Sequence, residues 1–64
     1  MAHEYEIHYT DDDGDSGRAT VTTPHHHEDH PERTWLQHIA DVLEQIGIKV
    51  AADGISRAVY RGRR

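Results

Sequence analysis

The chain has 64 residues, no cysteine, seven histidines and a formal net charge of −5. This length allows one domain, and the lack of cysteine excludes a disulfide scaffold and any cysteine-ligated zinc site. There is no charged-then-apolar leader and no long apolar run, so we expect a cytoplasmic protein without a signal peptide or a membrane span. The charge is uneven: residues 1–44 carry eleven acids and two arginines (net −9), whereas residues 45–64 carry one acid and five bases (net +4).

Two alternating segments predict a first β-hairpin over residues 3–23. Apolar side chains at every second position are typical of half-buried strands. They are Tyr5, Ile7 and Tyr9 in the first segment and Ala19, Val21 and Thr23 in the second. Keeping both sets on one face requires an odd-length loop of about three to five residues, because register and side-chain direction are coupled. A loop centred on Gly14 would place Tyr5 opposite Thr23.

Residues 24–30 form a histidine-rich linker, and residues 31–46 are predicted to form an amphipathic helix. Pro31 suits the first helical turn, Asp29 or His30 would cap it, and Gly47 is a typical C-terminal stop. The apolar residues fall on one stripe at helical spacing. They are Trp35, Leu36, Ile39, Val42, Leu43 and Ile46.

Asp53-Gly54 between two alternating segments predicts a second hairpin over residues 48–60. Its core face would carry Ile48, Val50, Ala52, Ile55 and Val59. Arg57 is a misfit among these apolar neighbours, and residues 61–64 form a basic tail that we expect to be frayed. The fold class is therefore α+β with the order ββαββ: two β-hairpins form an antiparallel four-stranded sheet, and one amphipathic helix packs on one face. The strand order stays open.

Residues 39–60 also allow a helix-turn-helix interpretation, in which Ile55 to Tyr60 form a recognition helix. The β-forming residues in that segment and the Asp53-Gly54 dipeptide before it disfavour a helix.

The segment His25-His26-His27-Glu28-Asp29-His30 is the most distinctive part of the sequence. Imidazole is the commonest metal ligand in proteins and also titrates near physiological pH. A metal site, a pH-sensitive surface and a solvated polar linker all fit this segment. For a metal site, the best set of ligands is His27, His30, His38 and Asp41, which would suit zinc or nickel, and His25 would replace His27 if the segment is extended.

The basic C-terminal end predicts a contact surface for nucleic-acid phosphates or for an acidic protein partner. Its residues are Arg57, Tyr60, Arg61, Arg63 and Arg64. Neither a glycine-rich phosphate loop nor a nucleophile motif is present in the sequence, and so small a fold is expected to lack a sizeable pocket, so we expect no enzyme.

The composition and the predicted fold favour a small non-catalytic binding protein. We expect a regulator, inhibitor or adaptor that acts through contacts with an unidentified protein partner. A nucleic-acid-binding protein and a histidine-based metal-binding module are the alternatives. A homodimer formed through a sheet edge is compatible with each of them.

Overall fold

The computed structural model describes residues 2–63. Strands β1 (His3–Thr10) and β2 (Ser16–Thr23) precede helix α1 (Glu32–Gln45), and strand β3 (Ile55–Arg63) follows it. Within residues 2–63 the sheet is antiparallel with three strands in the order β2-β1-β3, and α1 covers one face. The α+β class with one helix is confirmed, and the prediction of a four-stranded sheet built from two hairpins is wrong.

Strands β1 and β2 form the predicted first hairpin, with a register two residues away from the predicted one. Tyr5 lies opposite Val21 and not opposite Thr23. The loop has five residues and so has the predicted odd length. Asp11 closes it, because its Oδ1 accepts the backbone N–H of Asp15 at 2.9 Å. A shift of two residues leaves every side chain on its predicted face, since side chains alternate with a period of two.

The core lies between α1 and the inward face of the sheet. The predicted helical stripe is confirmed at Trp35, Ile39 and Leu43, which are all buried. It is wrong at Ile46, which follows the end of the helix and is 59% exposed. The buried residues that face the helix from the first hairpin are Tyr5, Ile7, Val21 and Thr23.

Helix α1 begins and ends close to the predicted positions. It starts directly after Pro31, where no side chain caps it, so the predicted capping by Asp29 or His30 is wrong. Gly47 ends it as predicted: its φ is +91° and its N–H donates to the Glu44 carbonyl at 3.0 Å. Glycine adopts this left-handed backbone without the steric cost that other residues incur.

Residues 48–51 form a connection and not the predicted strand of a second hairpin. The Lys49 carbonyl accepts the N–H of Asp12 at 3.0 Å, which ties this segment to the loop of the first hairpin. Asp53-Gly54 belongs to a short 3-10 turn, Ala52–Gly54. Strand β3 instead pairs with β1, and this ladder occupies the only edge of β1 that β2 leaves free.

Two β-bulges interrupt β3, and the one at Ser56 reverses the faces that simple alternation predicts for the residues from Arg57 to Tyr60. Ser56 and Arg61 are extra residues relative to β1. Ala58 consequently lies opposite buried Ile7, whereas Arg57 lies on the other face of the sheet. Arg57 is therefore no misfit in the core.

The bulge at Ser56 also takes one predicted residue out of the core, and β3 extends into the predicted tail. Val59 was expected in the core but lies opposite Glu6 on the face away from α1. Arg63 pairs with His3 as part of β3, so the prediction of a frayed tail is wrong for residues 61–63, and Arg64 lies outside the described residues. Because Ile55 to Tyr60 are strand, the helix-turn-helix interpretation is wrong as well.

Candidate metal centre

The linker between β2 and α1 is held against the core at His25. The backbone N–H of His25 donates to Thr23 Oγ1 at 3.2 Å, and its carbonyl accepts the indole N–H of Trp35 at 3.2 Å. Thr23 and Trp35 are both buried, so the partners are themselves fixed. The backbone of His25 is therefore held by two buried residues of the fold.

Three imidazoles meet where this linker crosses α1. The His25 and His38 rings stack with centroids 4.0 Å apart and planes 6° apart. His30 contacts both edge-on, with centroid distances of 4.9 Å to His25 and 5.2 Å to His38. One nitrogen of each ring lies within 4.8 Å of the others, and all three residues are half-buried. We call this set the three-histidine cluster.

The closest approach in the three-histidine cluster joins His25 Nδ1 to His30 Nε2, at 3.2 Å. Without an ion, one of these nitrogens carries a hydrogen and donates it to the other. Two nitrogens bound to one tetrahedral zinc at 2.0–2.1 Å are about 3.3 Å apart. The separation of the pair therefore matches that of two nitrogens on one ion, while the hydrogen bond directs the two nitrogens at each other and not at a common third point.

The structure brings together two of the four predicted metal ligands, His30 and His38. The third ring is that of His25, the predicted replacement for His27. His27 lies instead beside Tyr5, whose hydroxyl is 3.0 Å from both the backbone nitrogen and Nδ1 of His27. Asp41 Oδ1 accepts a hydrogen bond from Gln37 at 3.1 Å, outside the cluster.

A second group of ligand atoms comprises His26, His27 and Glu28. His26 Nδ1 already accepts the backbone N–H of Glu28 at 3.1 Å, and His27 Nδ1 is bonded to Tyr5. His27 and Glu28 are exposed. Because two of its three residues are exposed, whereas all three residues of the three-histidine cluster are half-buried, this group is the poorer candidate for a metal ion.

His3 and Tyr60 contact the histidine segment from the end of the sheet where β2 leads into that segment. His3 Nδ1 and the Tyr60 hydroxyl are 3.0 Å apart, and the His3 ring contacts that of His26 edge-on at 4.8 Å. Desolvation lowers the pKa of His3, and the nearby His26 and Arg63 lower it further. No local sequence pattern predicts this contact, because it depends on the pairing of β1 with β3.

The predicted basic contact residues lie along β3. Arg57, Arg61 and Arg63 are exposed. Tyr60, predicted to stack on a base, contacts the ring of Tyr5 at 5.1 Å and is 41% exposed. Tyr60 therefore packs against Tyr5 and His26 on the helix side of the sheet.

A groove of about 430 Å³ separates α1 from β3, and Tyr5, Trp35 and Tyr60 are among its lining residues. The groove is open to solvent along its length, and its volume is within the range of ligand pockets.

No protein-family model matches the chain, and neither does any curated protein or solved structure. The helix found in residues 2–63 is too short and too polar to cross a membrane.

Proposed function

We propose that this chain is a small, non-catalytic metal-binding module in which His25, His30 and His38 hold one zinc-class ion. The observation that carries the proposal is the 3.2 Å separation of His25 Nδ1 and His30 Nε2, with a nitrogen of His38 in the same group. Imidazole nitrogens suit zinc, nickel and copper, and zinc is the metal chosen for the test.

The fold supports this site because the three ligands come from different backbone segments. The backbone of His25 is bonded to buried Thr23 and Trp35, and His38 projects from the second turn of α1. His30 comes one residue before the proline that precedes α1. Ligands held in this way lose little conformational entropy when they bind an ion.

Metal binding requires adjustment of all three rings. His25 Nδ1 and His30 Nε2 must both be free of hydrogen, and the two rings must tilt so that their lone pairs converge on the ion instead of pointing at each other. The lone pair of an imidazole nitrogen lies in the ring plane, so the parallel His25 and His38 rings direct their lone pairs side by side. Rotation of the His38 ring about its χ2 bond turns its nitrogen toward the ion. Three protein ligands leave a fourth tetrahedral position, which water fills in such sites.

The test measures zinc affinity by competition with a chromophoric chelator in single variants. We expect His25→Ala and His38→Ala each to weaken zinc binding by at least about tenfold, since each removes one of three ligands. His27→Ala and Asp41→Asn are the matched controls, because both residues lie outside the cluster, and their affinities should stay within about twofold of the parent. Equal losses in His27→Ala and His25→Ala would overturn the proposal, because the whole segment would then bind zinc without a defined site.

Binding should also raise the melting temperature, because a ligand that binds only the folded state stabilises it. At a free zinc concentration of about 100 times Kd, the stabilisation is about 2.7 kcal/mol. For a domain of this size that corresponds to a shift on the order of 10–20 °C. A melting temperature that zinc leaves unchanged would contradict the proposal.

A further inference from the structure

The face of the sheet that α1 leaves open carries a row of basic side chains. His8 lies opposite Arg18 of β2 on one side and opposite Arg57 of β3 on the other. Neighbouring strands are about 4.8 Å apart, so the two arginine backbones are about 10 Å apart with His8 between them. Directly opposed residues share a face of the sheet.

Both arginines are exposed and free to bind an external group. Within residues 2–63 neither guanidinium forms an ion pair with a carboxylate, although the chain has 12 acids and 7 bases. Arg57 is paired with His8 in the edge strand β3, and from this edge it also borders the groove on the helix side. Its side chain can therefore turn toward the open face without breaking an ion pair.

His8 has charged neighbours on its own strand as well as on β2 and β3. On its own strand Glu6 accepts a hydrogen bond from His8 Nε2 at 2.9 Å. That hydrogen bond lowers the pKa of Glu6, and the charges of Arg18 and Arg61 also lower it. Glu6 is therefore held as a carboxylate beside Arg18, and Glu4 lies on the same face of β1.

We propose that Arg18 and Arg57 together bind a phosphate group above His8 on the open face of the sheet. A guanidinium group can donate two parallel hydrogen bonds to two oxygens of one anion. Two guanidinium groups that approach from opposite sides therefore need an anion with at least three oxygens on its central atom. Phosphate has such oxygens, whereas a carboxylate has only two. A free phosphate ion and the phosphate of a nucleotide share this chemistry.

The proposal is tested by titrating the protein with inorganic phosphate at constant ionic strength and recording backbone amide NMR shifts. A chelator is present so that phosphate cannot act through a bound metal ion. We expect saturable shifts confined to the strand segments around His8, Arg18 and Arg57. Shifts spread over α1 to the same extent would overturn the proposal.

Single variants distinguish a site from general charge attraction. We expect Arg18→Ala and Arg57→Ala each to raise the Kd for phosphate about tenfold or more, since each loses a charged hydrogen-bonding pair. Arg33→Ala is the matched control, because it removes the same charge from an exposed position on α1. Its Kd for phosphate should stay within about twofold of the parent. Glu6→Gln should bind phosphate more tightly, because it removes a negative charge beside the site. Equal weakening in all three arginine variants would overturn the proposal.

A second titration with adenosine monophosphate identifies the source of the phosphate. Equal Kd values for the nucleotide and for inorganic phosphate show that the site takes the phosphate group alone. A lower Kd for the nucleotide that Arg57→Ala abolishes shows a nucleotide site. Nucleotide binding that persists unchanged in both Arg18→Ala and Arg57→Ala would contradict the assigned site.

Discussion

The hydroxyl of Tyr5 connects the sheet to the histidine segment, and Tyr5→Phe measures the strength of that connection. Tyr5 is 1% exposed, and its oxygen is 3.0 Å from both the backbone nitrogen and Nδ1 of His27. In this arrangement the hydroxyl accepts the backbone N–H and donates to Nδ1. Phenylalanine keeps the ring and removes both hydrogen bonds.

The expected loss follows from these two bonds. A net hydrogen bond contributes about 1 kcal/mol, and a donor left partly buried without a partner costs about 1–3 kcal/mol. We therefore expect Tyr5→Phe to lower the free energy of unfolding by about 1–3 kcal/mol, measured by urea unfolding followed by circular dichroism. At about 4–8 °C per kcal/mol, the melting temperature should fall by at least about 4 °C.

Tyr60→Phe is the matched control for this measurement. Its hydroxyl also contacts a histidine, His3 Nδ1 at 3.0 Å, but that contact is exposed to solvent. We expect this variant to lose less than about 0.5 kcal/mol, as do most surface substitutions. Equal losses in Tyr5→Phe and Tyr60→Phe would refute the reasoning, because burial of the bond would then make no difference.

Three further predictions concern stability. Leu43→Ala should lower the free energy of unfolding by about 2–5 kcal/mol, because Leu43 is fully buried. Ile46 is exposed, so Ile46→Ala should change that free energy by less than about 0.5 kcal/mol, and urea unfolding of both variants measures the difference. Gly54→Ala should lower the melting temperature, because a Cβ there would lie 2.7 Å from the backbone oxygen of Thr10. An unchanged melting temperature would show that the turn at Gly54 is less tightly packed than the structure indicates. Burial raises the pKa of Tyr5, so above about pH 10 the unfolded chain releases a proton that the folded protein retains, and stability should fall as pH rises through that value. This alkaline loss should be smaller in Tyr5→Phe when unfolding is measured from pH 8 to pH 11, and an identical loss in both proteins would contradict the assignment to Tyr5.

Local patterns were sufficient to predict the first hairpin and the helix. The alternation around Tyr5 and Ile7 and the helical stripe through Ile39 and Leu43 each report the face of one element, and burial follows directly from them. Gly47 marked the end of the helix for an equally local reason, its positive φ.

Strand β3 could not be predicted in this way because its pairing is non-local. Asp53-Gly54 is a strong hairpin signal, yet β3 pairs with β1, some fifty residues earlier in the chain. The bulge at Ser56 then reverses the faces of the residues that follow it, so alternation alone predicts Val59 in the core. A bulge has no reliable sequence signal, and one extra residue is enough to exchange the two faces.

The candidate site was predictable as a segment but not as a set of ligands. The density of histidines in residues 25–30 indicates the segment, and the helical position of His38 predicts that it lies near this linker. The choice between His25 and His27 depended on two contacts that the sequence does not show. These are the hydrogen bond from Trp35 to the carbonyl of His25 and the hydroxyl of Tyr5 that holds His27.

The central claim is that one ion binds to His25, His30 and His38, and side-chain NMR of the histidines tests it most directly. Long-range proton–nitrogen spectra report both ring nitrogens of each of the seven histidines, with and without one equivalent of zinc. We expect one ring nitrogen in each of the three cluster residues to shift to the value of a metal-bound nitrogen, and the rings of His3, His8, His26 and His27 to keep their positions. Zinc-dependent shifts spread evenly over all seven rings, or confined to His26 and His27, would contradict the three-histidine site.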